Sequence, residues 1–477
     1  MSIETKQPGP DQREVALFDE CELLVPPARQ RERAIKSGVP RLMKPQRDQI
    51  ELRAFDLDSL LAVDHAARTV WAFVQSLDLA PLHARIRSLE GSAGRPVIDP
   101  AILVALWLWA TVDGVGSARE VDRLCERDNA YRWLCGGVGV NHHTLADFRT
   151  EHCAWLDAQL TRSIASLLER RLVSLNVVAQ DGLRVRAWAK AASFRRRQRL
   201  QQFIAQAQAQ VQALKKELDE DAGASTRRKQ AALERAVRER EQRLAQALAT
   251  MDKIERKAAL PKPLGDDEPP GDSPAGQEQP KPQSEPQSEP RVSTTDPEAR
   301  VMKMADGGFR PAFNAQLAVD AATQLIAAVA VVNTGSDMNE MVPMHAQIAQ
   351  RYGHTPEHWL ADGGFTKLQA IEHVSARGTQ PVLPPPKSRN PDIDRLAPKP
   401  TDSPHLAQWR ACMASAEGQA LYRQRGATVE CANAQLRRRG LYQFNVRGLA
   451  KAHAVLLWHA LAHNLMRMAS LKMALQA

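Results

Sequence analysis

The middle of this chain constrains its fold more than any other feature, because residues 190–298 cannot belong to a packed core. Ile204, Ala207, Val211, Leu214 and Leu218 recur at spacings of three and four, the seam of a coiled coil. Leu233, Val237, Leu244, Leu248, Met251 and Ile254 repeat the pattern after a break at Gly223-Ala-Ser-Thr, which predicts two helices folded back on each other. Residues 261–297 then hold ten prolines and the run PQSEPQSEP, the composition of an extended, disordered linker. Whatever is built from the flanking segments must close across this interruption.

The flanks differ in periodicity. From about residue 51 to 173 the pattern is helical and predicts an all-α domain of five to seven short helices, preceded by a tail over residues 1–50. Asp99 and Pro100 open a buried helix over Ala101–Val112, Ser117 with Glu120 has capping-box spacing, and Thr144 is placed to cap the next helix. Over 174–189 the period shortens to two. LNVVAQ and LRVRAWA, separated by Asp181-Gly182, read as a β-hairpin. After the interruption, from residue 298 to 477, FNAQLAVD and LIAAVAVVN predict two strands and Asn339–Arg351 a helix. HWLA predicts a strand ending at Asp362, followed by a helix over Lys367–His373, a strand near GTQPVLP, a loop over Pro384–Pro404, and helices over Ala416–Arg438 and Leu449–Leu475. With residues 190–298 removed, this is the element order of a ribonuclease-H-like α/β core. The expected fold is such a core, interrupted by a helical coiled-coil insertion and preceded by the all-α N-terminal domain.

In open α/β sheets, sites form at the carboxyl ends of strands. Asp181 and Asp362 both stand at predicted strand ends and both precede a glycine. Glu430 is the sole acid between Glu417 and the C-terminus and is surrounded by arginines. Three convergent carboxylates without Cys or His partners suit Mg²⁺, and two ions could clamp both sides of a phosphodiester in an in-line displacement. Taken singly, Asp181 reads equally well as a turn aspartate and Glu430 as an ion-pair partner of Arg437. Asp320 and Asp337 are spare carboxylates, suited to a hairpin turn and a helix cap.

Charge gives these segments a partner class. The formal net charge is +9; residues 190–260 carry +8, residues 399–477 another +8, and residues 261–298 carry −6. Two basic blocks on a near-neutral background point to a polyanion. Arg195 and Arg196 stand at the entry to the insertion, and Arg438 stands beside Arg437. Arg149, with His143, would face DNA if Ala118–Asp128 and Thr144–Trp155 formed a helix-turn-helix-like reader. No run approaches a membrane span, the N-terminus is polar and mixed in charge, and six scattered cysteines suggest a reducing cytoplasm.

Four segments together resemble DDE transposases of bacterial insertion sequences: Arg95–Gly137 with HHTLADFR, VVAQDGLRVRAWA, Asp296–Met344 leading to WLADGGF, and Tyr422–Leu465. The resemblance implies Asp181, Asp362 and Glu430 as catalytic, metal-holding residues. It implies Tyr422, Arg425 and Arg437 as DNA contacts on the glutamate helix, with Arg423 the alternative to Arg425, whose spacing to Glu430 is one residue longer than the common pattern. It also implies two Mg²⁺ ions, with Mn²⁺ able to substitute, and an enzyme that works as a homo-oligomer on double-stranded DNA. That enzyme would cut terminal inverted repeats and join the 3′-OH to target DNA, in a bacterial cytoplasm at the nucleoid. The competing readings are a non-catalytic DNA-binding relic or domesticated copy, and a Mg²⁺ nuclease without strand transfer.

Overall fold

In the computed structural model the described residues are 56–88, 96–220, 224–259, 289–386 and 394–472, and side chains are described for all of these except 214–232. The expected tail over 1–50 and most of the expected linker lie outside them. Seven helices come first: α1 (Ala66–Gln75), α2 (Ala80–His83), α3 (Pro100–Val112), α4 (Ala118–Arg127), α5 (Asn129–Cys135), α6 (His142–Glu151) and α7 (Cys153–Glu169). Asp99 caps α3 as expected, its carboxylate accepting from the Ala101 amide at 2.8 Å. Two other caps differ from expectation. Ser117 makes no side-chain cap bond. The cap of α6 is Asn141, whose Oδ1 accepts from the His143 and Thr144 amides, so Thr144 lies inside the helix.

The predicted hairpin at Asp181-Gly182 is instead one strand, β1 (Val177–Arg186), running straight through both residues. After it come β2 (Phe194–Arg195), α8 (Arg197–Glu220), α9 (Ala224–Ala259), β3 (Val292–Ser293), β4 (Arg300–Lys303), β5 (Phe309–Asp320) and β6 (Ile326–Val332). Then follow α10 (Met341–Tyr352), β7 (His358–Leu360), α11 (Leu368–Ser375), β8 (Gln380–Val382), α12 (Pro404–Ala414), α13 (Ala416–Arg425), α14 (Cys431–Arg438) and α15 (Leu449–Ser470). Helix α12 was not expected. Ser403 and Pro404, which looked like the end of a loop, are its cap and first turn.

Six strands form a mixed sheet. On one edge β1 pairs antiparallel with β5, and on the other it pairs parallel with β7, which in turn pairs parallel with β8. The far edge of β5 takes β4 along its first residues and β6 along its last. The N-terminal helices do not build a core of their own. Buried residues of α1, α3, α6 and α7 belong to one hydrophobic cluster with the sheet and with α15. The Trp458 indole of α15 donates to the Arg149 carbonyl of α6 at 3.0 Å.

Helices α8 and α9 pack antiparallel around a small core of their own, containing Leu200, Ala207, Leu244, Ala247, Met251 and Val292. Arg197, at the start of α8, bonds Glu255 and Asp252 near the end of α9. The expected linker ends earlier than residue 297. Val292–Ser293 pairs with Phe194–Arg195, and Asp296 is buried and accepts from the Gly448 amide at 3.1 Å. The β-branched Val292 fills the helical pair's core, which ties this stretch down despite its flanking prolines. Among the described residues no helix is long and apolar enough to cross a membrane.

Candidate active site

Strand register brings the first two carboxylates together. In the parallel pair, Ala179 of β1 lies opposite Leu360 of β7. Asp181 and Asp362 are each two residues further on, so they stand at the same level on neighbouring chains whose spacing in a sheet is about 4.8 Å. Strand β7 closes at Leu360, so Asp362 stands two residues past it rather than at its end, and its Oδ1 accepts from the Gly364 amide at 2.8 Å. Asp181 Oδ1 accepts from the Gly182 amide at 2.9 Å, and Oδ2 accepts from the Asn433 side-chain amide at 2.8 Å. Burial, reinforced by the charges of Asp362 and Asp337, pushes the Asp181 carboxyl up to about 6, against the pull of the Gly182 N–H and Arg425. Two crowded carboxylates with this perturbation are a place where a cation belongs.

Gly182 is not there to turn the chain. A Cβ at this position would lie 2.3 Å from Asp337 Oδ1, 2.7 Å from Gln316 Nε2 and 2.8 Å from Asn314 Oδ1. Asp337 caps no helix with its side chain. Its Oδ1 accepts from Asn314 at 2.7 Å and Gln316 at 2.6 Å, and its Oδ2 from Arg184 at 2.7 Å. Gln180 continues this network, donating to Gln316 and accepting from the Trp359 indole of β7. A buried carboxylate thus clamps β1 from the face opposite Asp181. Asp320, by contrast, closes the β5–β6 turn as expected, its Oδ2 accepting from the Thr323 amide and hydroxyl.

The glutamate helix carries an irregularity. Residues Gly426–Glu430, between α13 and α14, form a π-helical turn. A π-turn adds one residue to a helical repeat, which absorbs the extra residue between Arg425 and Glu430. Although five apart, the two meet: Arg425 Nη2 lies 3.4 Å from Glu430 Oε1. The Arg425 guanidinium also stands 6.0 Å from the centre of the Tyr422 ring. Arg423 is exposed. One turn past Glu430, Asn433 reaches Asp181. It was missed in the sequence, and its only signal there is its i+3 position after Glu430, which puts both on one helix face.

Glu430 is nevertheless turned outward, its side chain 67% exposed. Among the described residues no three Asp, Glu, His or Cys side chains are gathered as a metal-binding group. The donor chemistry fits a hard divalent cation at the Asp181–Asp362 pair, where Asn433 Oδ1 is also buried without a hydrogen-bond partner. Glu430 would join only after its side chain leaves Arg425.

The remaining basic candidates divide. Arg149, expected on an outward face, is buried. It is 8% exposed, donates to the Gly116 carbonyl at 2.7 Å and stacks 4.7 Å over the Trp107 ring. Its position on α6 faces the interior that α3 and α15 close, and burial lowers its guanidinium to about 10. Arg196 pairs with Glu289 at 3.0 Å, and with Arg195 lines a cavity of about 380 Å³ at the base of the helical pair. Arg437 lines another cavity, of about 310 Å³, and Arg438 is exposed.

Two family models match the chain: a Transposase DDE domain over residues 283–465 and a Transposase domain (DUF772) over residues 55–151. Together they cover more than half of it, in the order expected. The chain belongs to the DDE transposases. No curated protein and no solved structure matches it. The transposase is accordingly an enzyme of DNA cleavage and strand transfer, of a family that uses divalent metal. Asp181 lies between the two matched stretches, so its role is argued from strand register rather than from either match.

Proposed function

We propose that Asp181, Asp362 and Glu430 are the catalytic carboxylates of this transposase, on a ribonuclease-H-like core that the α8–α9 coiled coil interrupts. The observation that carries this reading is the register of β1 and β7, which sets Asp181 and Asp362 side by side two residues beyond their last shared pair. Asp181 and Asp362 would hold Mg²⁺, with Glu430 as the third ligand, and two such ions supply charge neutralisation at the attacking and leaving oxygens of an in-line displacement. The chain's own residues hold those carboxylates in place. The Asn433 amide fixes one oxygen of Asp181 and the Gly182 N–H the other. Asp337, held by Asn314, Gln316 and Arg184, keeps β1 straight beneath them. Arg425 neutralises Glu430 until the glutamate turns inward, and is then free for a DNA phosphate.

In this reading the substrates are the terminal inverted repeats of an insertion sequence and a target duplex, held by a homo-oligomer in the cytoplasm at the nucleoid. Arg437, Arg438, Tyr422 and the Arg195–Arg196 pair would contact the flanking DNA, and the N-terminal helices the element ends. The test is labelled element ends incubated with the transposase, Mg²⁺ and a target plasmid. Joined product is expected. Cutting without joining would reduce the enzyme to a nuclease, and binding with neither would overturn the reading.

A further inference from the structure

Beyond the carboxylates, β1 and α14 run on together. Arg184 is three residues past Asp181, about 10 Å along a strand. Arg437 is four residues past Asn433, about 6 Å along a helix. Both side chains line the same cavity of about 310 Å³, with Arg186, Arg310, Asp306 and Tyr442 also in its wall. The cavity lies where β1 lacks a strand neighbour. Strand β7 covers β1 only as far as Ala179, and beyond the gap the Arg186 backbone bonds Tyr442 and Phe444.

The charges in this cleft do not cancel. Arg184 is held by Asp337, and Arg310 is held by both oxygens of Asp306 at 2.8 and 2.7 Å. Among the described residues, the guanidinium groups of Arg186 and Arg437 have neither a hydrogen bond nor an ion pair. Two uncompensated cations aimed at one cavity repel each other unless an anion lies between them. The Tyr442 ring, 58% exposed, borders the same opening. Two residues past Arg186, Trp188 is 47% exposed and lines a second cavity with Gln443, the residue after Tyr442. Arginines around a cleft, bordered by an exposed aromatic ring, are the components of a single-strand nucleic-acid platform.

We propose that Arg184, Arg186, Arg310 and Arg437, with the Tyr442 ring, form a phosphodiester-binding cleft that holds one unpaired DNA strand leaving the carboxylate site. The cleft rests on the reading that this site acts on DNA, and it adds a strand and a direction: away from Asp181 and around the open edge of β1, since Arg184 and Arg186 project from the face opposite Asp181. Arg186 and Tyr442 are its defining members, since neither belongs to the carboxylate machinery.

The test uses full-length transposase and mixed-sequence DNA duplexes, one blunt and one with a single-stranded extension, with binding followed by fluorescence anisotropy across a salt series. Arg186→Ala should weaken binding to the extended duplex more than to the blunt one and flatten its salt dependence by about 0.7 in log–log slope. Arg186→Lys should restore most of that slope. Tyr442→Ala should weaken binding to the extended duplex by roughly five- to hundredfold without changing the slope. Wild-type affinity and slope in Arg186→Ala, or equal losses on both duplexes, would overturn the proposal. So would displacement of the extension by millimolar inorganic phosphate in wild type but not in Arg186→Ala, which would assign the cleft to free phosphate. End cleavage by the wild-type enzyme is scored separately. Cleavage with no slope change sinks the cleft alone, and a slope change without cleavage sinks the carboxylate reading alone.

Discussion

Gly182→Ala tests the reason for the glycine beside Asp181. Gly182 sits within β1 and its φ is not positive, so an alanine suits the backbone. What it does not suit is the space. Its Cβ would lie 2.3 Å from Asp337 Oδ1 and must open by roughly 1 Å or more to reach ordinary contact. Moving Oδ1 that far stretches its bonds to Asn314 and Gln316, now 2.7 and 2.6 Å, beyond hydrogen-bonding range. Each bond to a charged acceptor contributes about 1.5–3 kcal/mol, so the substitution should cost about 3–6 kcal/mol. That is a large part of the ~5–15 kcal/mol that holds a typical domain together. Urea unfolding followed by tryptophan fluorescence measures it. Repeating the substitution on an Asp337→Ala background should bring the cost below about 1 kcal/mol, because the nearest obstruction is gone and the Gln316 and Asn314 side-chain ends, no longer tied to Asp337, can swing aside. A Gly182→Ala protein within about 1 kcal/mol of wild type would refute the clamp. So would an undiminished cost without Asp337, as backbone strain at a turn would give.

Arg149→Ala should destabilise the fold by about 2–4 kcal/mol, through loss of its bond to Gly116 and its stacking on Trp107, and leave DNA affinity unchanged; thermal melts and anisotropy on the same sample separate the two. Burial depresses His459 to about 3, and His463 and His345 to about 4. The unfolded chain therefore binds the extra protons, and stability is complete above the ordinary histidine value of about 6.5 and falls below it. Urea midpoints should drop between pH about 6.5 and about 4, by at most about 1.4 kcal/mol per pH unit for each histidine; a flat midpoint there would contradict their burial as neutral rings. Deleting Ala427 should turn the π-turn into an ordinary α-turn and keep Arg425 opposite Glu430. The loss of strand cleavage should stay below the roughly hundredfold that a 1 Å misplacement costs.

Much of this site was legible in the sequence because its parts are local. Asp362 follows a short apolar strand, Glu430 stands alone in a basic helix, and periodicity placed most of the core elements. The misreadings arose where tertiary contacts override local signals. Asp181-Gly182 has the composition of a turn, but β5 pairs along the whole of β1 and holds it straight. Asp337 looked like a cap because the three side chains that bind it come from β1 and β5, more than twenty residues away in each case. Arg149 looked like a surface cation because the tryptophan beneath it lies on α3, about forty residues earlier in the chain. The long Arg425–Glu430 spacing looked like a defect in the motif, yet a π-turn repairs its phase, and no one-residue pattern announces a π-turn.

The most direct test of the central claim is single-strand cleavage of labelled element ends by Asp181→Asn, Asp362→Asn and Glu430→Gln, each compared with wild type for DNA binding on the same preparation. If the three carboxylates form one site, each variant should bind DNA as wild type does and lose cleavage by about a thousandfold or more. Near-wild-type cleavage by any one of them would remove that residue from the site, and for Asp181 it would contradict the register argument on which the account rests.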